Sequence, residues 1–127
     1  SAQCLRVACS DGHMAAASVK FKNKPSKEVM IERWNNFKGR AQELKLPSAP
    51  EHYLTYCEED NRPQTKLDRM TENGMGVTIG RLRGMKTASL TIFDYKFVSL
   101  SHNTLRGAAG GAVLMAELLC AEGYMDR

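Results

Sequence analysis

A chain of 127 residues, 43% apolar and 25% charged, has the size and composition of one ordinary globular domain able to bury a core. It holds no apolar run near the roughly twenty residues that a membrane helix needs, which argues against a membrane span. The net charge of +4 is uneven, with nine Lys/Arg against four Asp/Glu in residues 1–46 and nine against ten in residues 47–127.

The chain opens on Ser1 with no signal-peptide pattern and is expected to be a soluble, cytoplasmic piece of something longer. Residues 5–10 read as a short apolar strand that carries one cation, Arg6. The pair Asp11-Gly12 is a turn signal, and residues 14–21 form a second strand. Ala16, Ser18 and Lys20 share one of its faces, and Ala17, Val19 and Phe21 the other. His13 therefore follows a tight turn. Lys20, Lys22, Lys24 and Lys27 hold most of the positive excess; extended, the alternating lysines would line one wet face. Without interleaved aromatics to stack on bases, this stretch reads as solvated or as edge protection, and no nucleic-acid partner is expected.

Pro25 stops the strand, and Ser26 can cap a helix with Met30, Trp34, Phe37, Ala41 and Leu44 on one stripe, ending before Pro47. Residues 53–57 read as a third strand. The polar stretch 58–73, at 16 residues, is long for a structureless loop and suggests a functional or interface segment. Strands are expected at 77–82, 88–92 and 96–100, and a last helix at 104–122. Some six strands and two principal helices, with no internal repeat, predict an α+β fold with a mainly antiparallel or mixed sheet.

Cys4, Cys9, Cys57 and Cys120 contain no C-x-x-C pair, and Cys9-x-x-x-His13 alone approaches metal-ligand spacing, so no metal site is expected and reduced thiols are. Arg6 offers a planar fork that suits either a structural ion pair or a carboxylate clamp. His13, taken by itself, reads as a satisfied core histidine before it reads as a proton-transfer group. His52 looks like a strand-entry residue, and His102 like a donor in the cap region of the last helix. Gly107, Gly110 and Gly111 cost that helix about 1 kcal/mol each relative to alanine. Either close packing on the sheet or a cofactor at the helix N-terminus, with Asn103 as an amide partner, would offset them.

Five segments occur in an order and spacing that resemble aspartate-semialdehyde dehydrogenases of the archaeal and fungal branch. They are Arg6-Val7-Ala8-Cys9-Ser10-Asp11-Gly12-His13, Asp60-Asn61-Arg62-Pro63-Gln64, Leu67-Asp68-Arg69, Gly76-Val77-Thr78-Ile79-Gly80-Arg81-Leu82-Arg83, and Ser101-His102-Asn103-Thr104-Leu105-Arg106-Gly107-Ala108-Ala109. The resemblance covers the whole chain but only the C-terminal part of those enzymes. It implies a glyceraldehyde-3-phosphate-dehydrogenase-like C-terminal domain without the Rossmann domain. Residues 1–127 would be a partial catalytic and dimerisation domain, with 103–122 a helix that packs on the nucleotide-binding domain.

The implied activity is the NADP-dependent reduction of β-aspartyl phosphate to aspartate β-semialdehyde, through a cysteine thioester, in the biosynthesis of threonine, methionine, isoleucine and lysine. His13 matches the acid/base histidine, Arg6 the substrate-carboxylate arginine, and Asn103 a contact to the nicotinamide end of the cofactor. The partners implied are the small molecules aspartate semialdehyde and phosphate and further copies of the chain, as a dimer or tetramer. The family's phosphate loop and nucleophilic cysteine have no counterpart here, and neither Cys4 nor Cys9 matches that nucleophile. These residues alone are therefore expected to bind no NADP and to be inactive. Met14 also stands where the family has a small polar residue. A malonyl-CoA reductase of the same architecture and a non-catalytic interaction module are the alternatives.

Overall fold

The computed structural model describes residues 8–85 and 92–125. Four strands form one mixed sheet in the order β1-β4-β3-β2, with β1 at His13–Val19, β2 at Leu54–Cys57, β3 at Val77–Gly84 and β4 at Tyr95–Ser101. β2 and β3 run parallel, and the other two pairs antiparallel. The helices are α1 at Lys27–Asn35, α2 at Arg40–Glu43, α3 at Thr65–Asp68 and α4 at Gly110–Ala121. The α+β class with a mixed sheet is as expected. Residues 5–7 of the first expected strand and 88–91 of the fifth lie outside the described residues; 8–10 and Ile92 are not in strands.

One face of the sheet is covered by α1. Met30, Leu82 and Tyr95 are buried there, with Val19, Phe21, Ile31, Trp34, Tyr56 and Phe97 packed around them. Trp34 stacks on Tyr56 at 5.9 Å between ring centres and tilts against Phe97 at 5.1 Å. The alternation in β1 is visible as half-buried Ala17 and Val19 against exposed Ala16 and Ser18.

Two expectations are corrected. The lysine run is not a strand: β1 ends at Val19, because Phe21 N–H donates to the Asp94 carboxylate at 2.8 Å instead of to a neighbouring strand. Lys24 then turns back over the Tyr95 ring, 5.1 Å from its centre, with its Nζ 4.0 Å from Asp94. The long helix is also broken. Ser26 does cap it, its Oγ accepting from Val29 N–H at 3.3 Å, but α1 stops at Asn35 and the chain restarts at Arg40. Two asparagines and a glycine in this stretch are poor helix formers. Asn35 has a better use outside the helix, since its Oδ1 accepts the edge N–H of Tyr56 at 2.9 Å. Phe37, which the continuous stripe would have buried, is half-exposed against Tyr53.

The polar stretch 58–73 folds on itself. Asp68, only 4% exposed, receives a two-pronged hydrogen bond from the Arg62 guanidinium and the N–H of Gln64 at 2.6 Å. Thr71 Oγ1 donates to Asp68 O at 2.9 Å and lies 3.0 Å from Thr78 Oγ1, which ties the segment to the start of β3. Arg62 first of all, and the Gln64 N–H after it, hold the Asp68 carboxyl below the ordinary aspartate range against the opposing effect of burial.

Candidate active site

His13 is the first residue of β1 and lies opposite Ser101, the last of β4. The backbone reaches it through Gly12, whose φ of 107° is open to glycine and strained for a residue with a side chain. Gly12 N–H donates to Asn103 Oδ1 at 3.0 Å, across 91 residues of sequence. The turn before the histidine and the entrance to the last helix are thus one structure. The His13 ring is exposed, and among the described residues no side chain hydrogen-bonds it.

Arg6 lies outside the described residues. The site as described therefore joins Gly12, the residue before His13, to Asn103. Arg62 is committed within its own segment. Its guanidinium is spent on Asp68, and that hydrogen bond in turn holds it protonated even more firmly than an ordinary arginine.

The last helix does not start as an ordinary α-helix. Residues Leu105–Ala109 form a π turn, with Gly107 N–H donating to His102 O at 3.0 Å and Ala109 N–H to Thr104 O at 2.8 Å. His102 is buried, and its Nδ1 accepts from Thr104 and Leu105 N–H, both at 3.1 Å. It is an acceptor that caps the helix, not the donor that was expected. This cap fixes the backbone on either side of Asn103. Of the three helix glycines, Gly110 and Gly111 carry the close approaches: a β-carbon would fall 2.6 Å from Met75 Sδ and 2.5 Å from Leu105 O at Gly110, and 2.6 Å from Arg106 O at Gly111. Packing therefore accounts for Gly110 and Gly111, while Gly107 and Ala108 lie exposed. Along α4, Leu114 is buried, whereas Val113 and Met115 are half-exposed.

No described cysteine has the surroundings of an activated nucleophile. Cys9 is exposed, with Sγ 3.8 Å from Gly12 O. Burial first, then the charge of Asp68, pushes the Cys57 thiol up and keeps it protonated near neutrality, against the opposing pull of Arg62. Alkylation with iodoacetamide at pH 7.5 should accordingly label Cys9 well before Cys57, as peptide mapping of a time course would show; equal rates would contradict this placement. Among the described residues, no three or more His, Cys, Asp or Glu side chains converge as a metal site would require, and no helix is long and apolar enough to cross a membrane.

Residues 1–106 match the family model described as semialdehyde dehydrogenase, dimerisation domain. The chain is 42% identical to an aspartate-semialdehyde dehydrogenase of Aspergillus fumigatus over 98% of its own length and 34% of that protein's. It is 44% identical to a malonyl CoA reductase (NADP) of Metallosphaera sedula over 96% of its length and 33% of the relative's. Among solved structures, the aspartate semialdehyde dehydrogenase of Candida albicans with NADP superposes with a TM-score of 0.76 at 34% identity, covering 91% of this chain and 31% of that one. The chain spans about a third of the length of the curated relatives it matches.

Proposed function

The chain belongs to the semialdehyde dehydrogenase dimerisation-domain family, and on that premise we propose that it is the catalytic and dimerisation portion of a cytoplasmic, NADP-dependent aspartate-semialdehyde dehydrogenase. The reaction is the reductive dephosphorylation of β-aspartyl phosphate to aspartate β-semialdehyde. The observation that carries this reading is the Gly12–Asn103 hydrogen bond, which holds an exposed histidine beside an amide at a helix entrance.

His13 takes and returns the proton at the reacting carbonyl oxygen. Imidazole suits the task because its ordinary pKa of about 6.5 leaves both forms populated near neutrality. Arg6 grips the substrate carboxylate with its planar fork and so fixes the reacting carbon. The cofactor supplies the hydride when bound. Asn103 fits a place at the nicotinamide end: its Oδ1 is spent on Gly12, which leaves the Nδ2 hydrogens to donate to a carboxamide oxygen. Residues 103–122 pack on the nucleotide-binding domain, whose surface would cover the half-exposed Val113 and Met115.

Family membership brings self-association with it. The sheet face opposite α1 carries a shallow groove lined by Ala16, Ser18, Val98, Arg81, Arg83 and Lys96. A second copy of the chain covers this face in the assembled enzyme, as a dimer or tetramer.

The malonyl-CoA reductase reading is favoured by one observation, the 44% identity to the Metallosphaera sedula protein. Both activities are separable in one assay on the full-length protein that carries this chain. Phosphate-dependent NADP reduction with aspartate semialdehyde, and none of note with malonyl-CoA and NADPH, is expected, from a preparation that elutes as a dimer or larger. Turnover of malonyl-CoA alone would replace the first reading with the second, and activity towards neither would end both.

A further inference from the structure

Resting on the acid/base reading of His13, we propose that Thr65 is a positioning residue that sets the aim of the imidazole through the turn before it. Gly12 is held from two sides. Asn103 Oδ1 accepts its N–H at 3.0 Å, and a β-carbon built on it would lie 3.3 Å from Thr65 Cγ2 and 3.1 Å from Leu100 Cδ1. The Thr65 methyl and the Leu100 side chain thus bound the side of the turn on which a β-carbon would stand. Leu100 is 1% exposed on β4, an inner strand of the sheet.

Thr65 is the first residue of α3, a single helical turn that would not hold its place alone. It is held by the network already described. Asp68 accepts from Gln64 N–H and from Arg62, while Thr71 connects Asp68 O to Thr78 on β3. A continuous path of hydrogen bonds and packing therefore runs from the start of β3, through Asp68 and α3, to the residue preceding His13. Thr65 contributes a methyl to this path, and its hydroxyl makes no hydrogen bond to another described residue. Because the methyl is the working part, the side chain should tolerate loss of its oxygen and not of its carbon. Positioning errors of about 1 Å at a reacting centre cost up to about 100-fold in rate.

The test uses the full-length protein with Thr65→Val, which keeps the methyl, and Thr65→Ser, which keeps the hydroxyl, alongside His13→Asn. Steady-state kcat and KM, the pH profile of kcat and the thermal midpoint are measured for each. Thr65→Ser should lower kcat about 10-fold with KM changed less than about 2-fold, while Thr65→Val stays within about 2-fold of the parent in both. The limb of the profile that His13→Asn abolishes should persist in Thr65→Ser at reduced height. If Thr65→Ser matches the parent, or Thr65→Val loses as much as Thr65→Ser at an unchanged midpoint, the positioning role is wrong. If His13→Asn itself leaves kcat intact, the acid/base reading fails and this inference with it. A normal loss for His13→Asn with no loss for Thr65→Ser removes the inference alone.

Discussion

Replacing His13 by Asn in the full-length enzyme should lower kcat by about 100- to 10,000-fold, the usual worth of a positioned acid/base group, with little change in KM. Asparagine approximates the size and polarity of histidine but cannot relay a proton near neutrality. The fold should survive the change. The His13 ring is exposed and makes no side-chain hydrogen bond among the described residues, and its backbone pairing with Ser101 does not depend on the side chain. Stability is therefore expected to stay within about 0.5 kcal/mol of the parent, as for a surface substitution. This separation of large kinetic from small thermodynamic effect distinguishes a proton carrier from a structural turn residue. A kcat within a few-fold of the parent in a folded variant would return His13 to a structural role.

Local chemistry made much of the fold legible. Asp11-Gly12 announced its turn, Ser26 its cap, and the period of two in β1 its buried face, because each is decided by residues a few positions apart. What escaped is non-local. The hydrogen bond from Gly12 to Asn103 spans 91 residues and leaves no trace in any window of sequence. The helix break after Asn35 is explained by a strand that pairs with its side chain, Tyr56, and the end of β1 by an aspartate 73 residues away from Phe21. Propensity sees neither.

The segment 58–73 shows the same limit from the other side. Its length pointed to function, and its residues turn out to be internally committed, with Arg62 bound to Asp68 at a spacing that no helical or strand period would suggest. A guanidinium in a motif near an active site invites a substrate-binding role. The structure gives Arg62 a buried aspartate instead. The segment serves the site indirectly, by carrying Thr65 to the Gly12 turn.

Asp68→Ala should accordingly destabilise the intact protein by about 2–3 kcal/mol, roughly a 30- to 150-fold shift in the folding equilibrium. The value lies below the range for a fully buried ion pair because Arg62 keeps some contact with solvent and can rehydrate once its partner is gone. The Gln64 N–H, which loses its acceptor at the start of α3, cannot do so as easily. The sign of the pH dependence follows from the direction of the Asp68 shift. Arg62 and then Gln64 depress its folded pKa, so between that value and the ordinary one of about 3.9 the unfolded chain binds the proton and the folded chain does not. The stabilisation is therefore fully present above about pH 5 and is lost as the pH falls through the folded pKa. Urea unfolding of parent and Asp68→Asn, which keeps the shape and removes the charge, should show a stability gap that is constant from about pH 5 to 8 and narrows in acid. A gap that persists undiminished to about pH 2.5 would falsify the assignment of that stability to the ionised carboxylate, and would place it in the shape of the side chain alone.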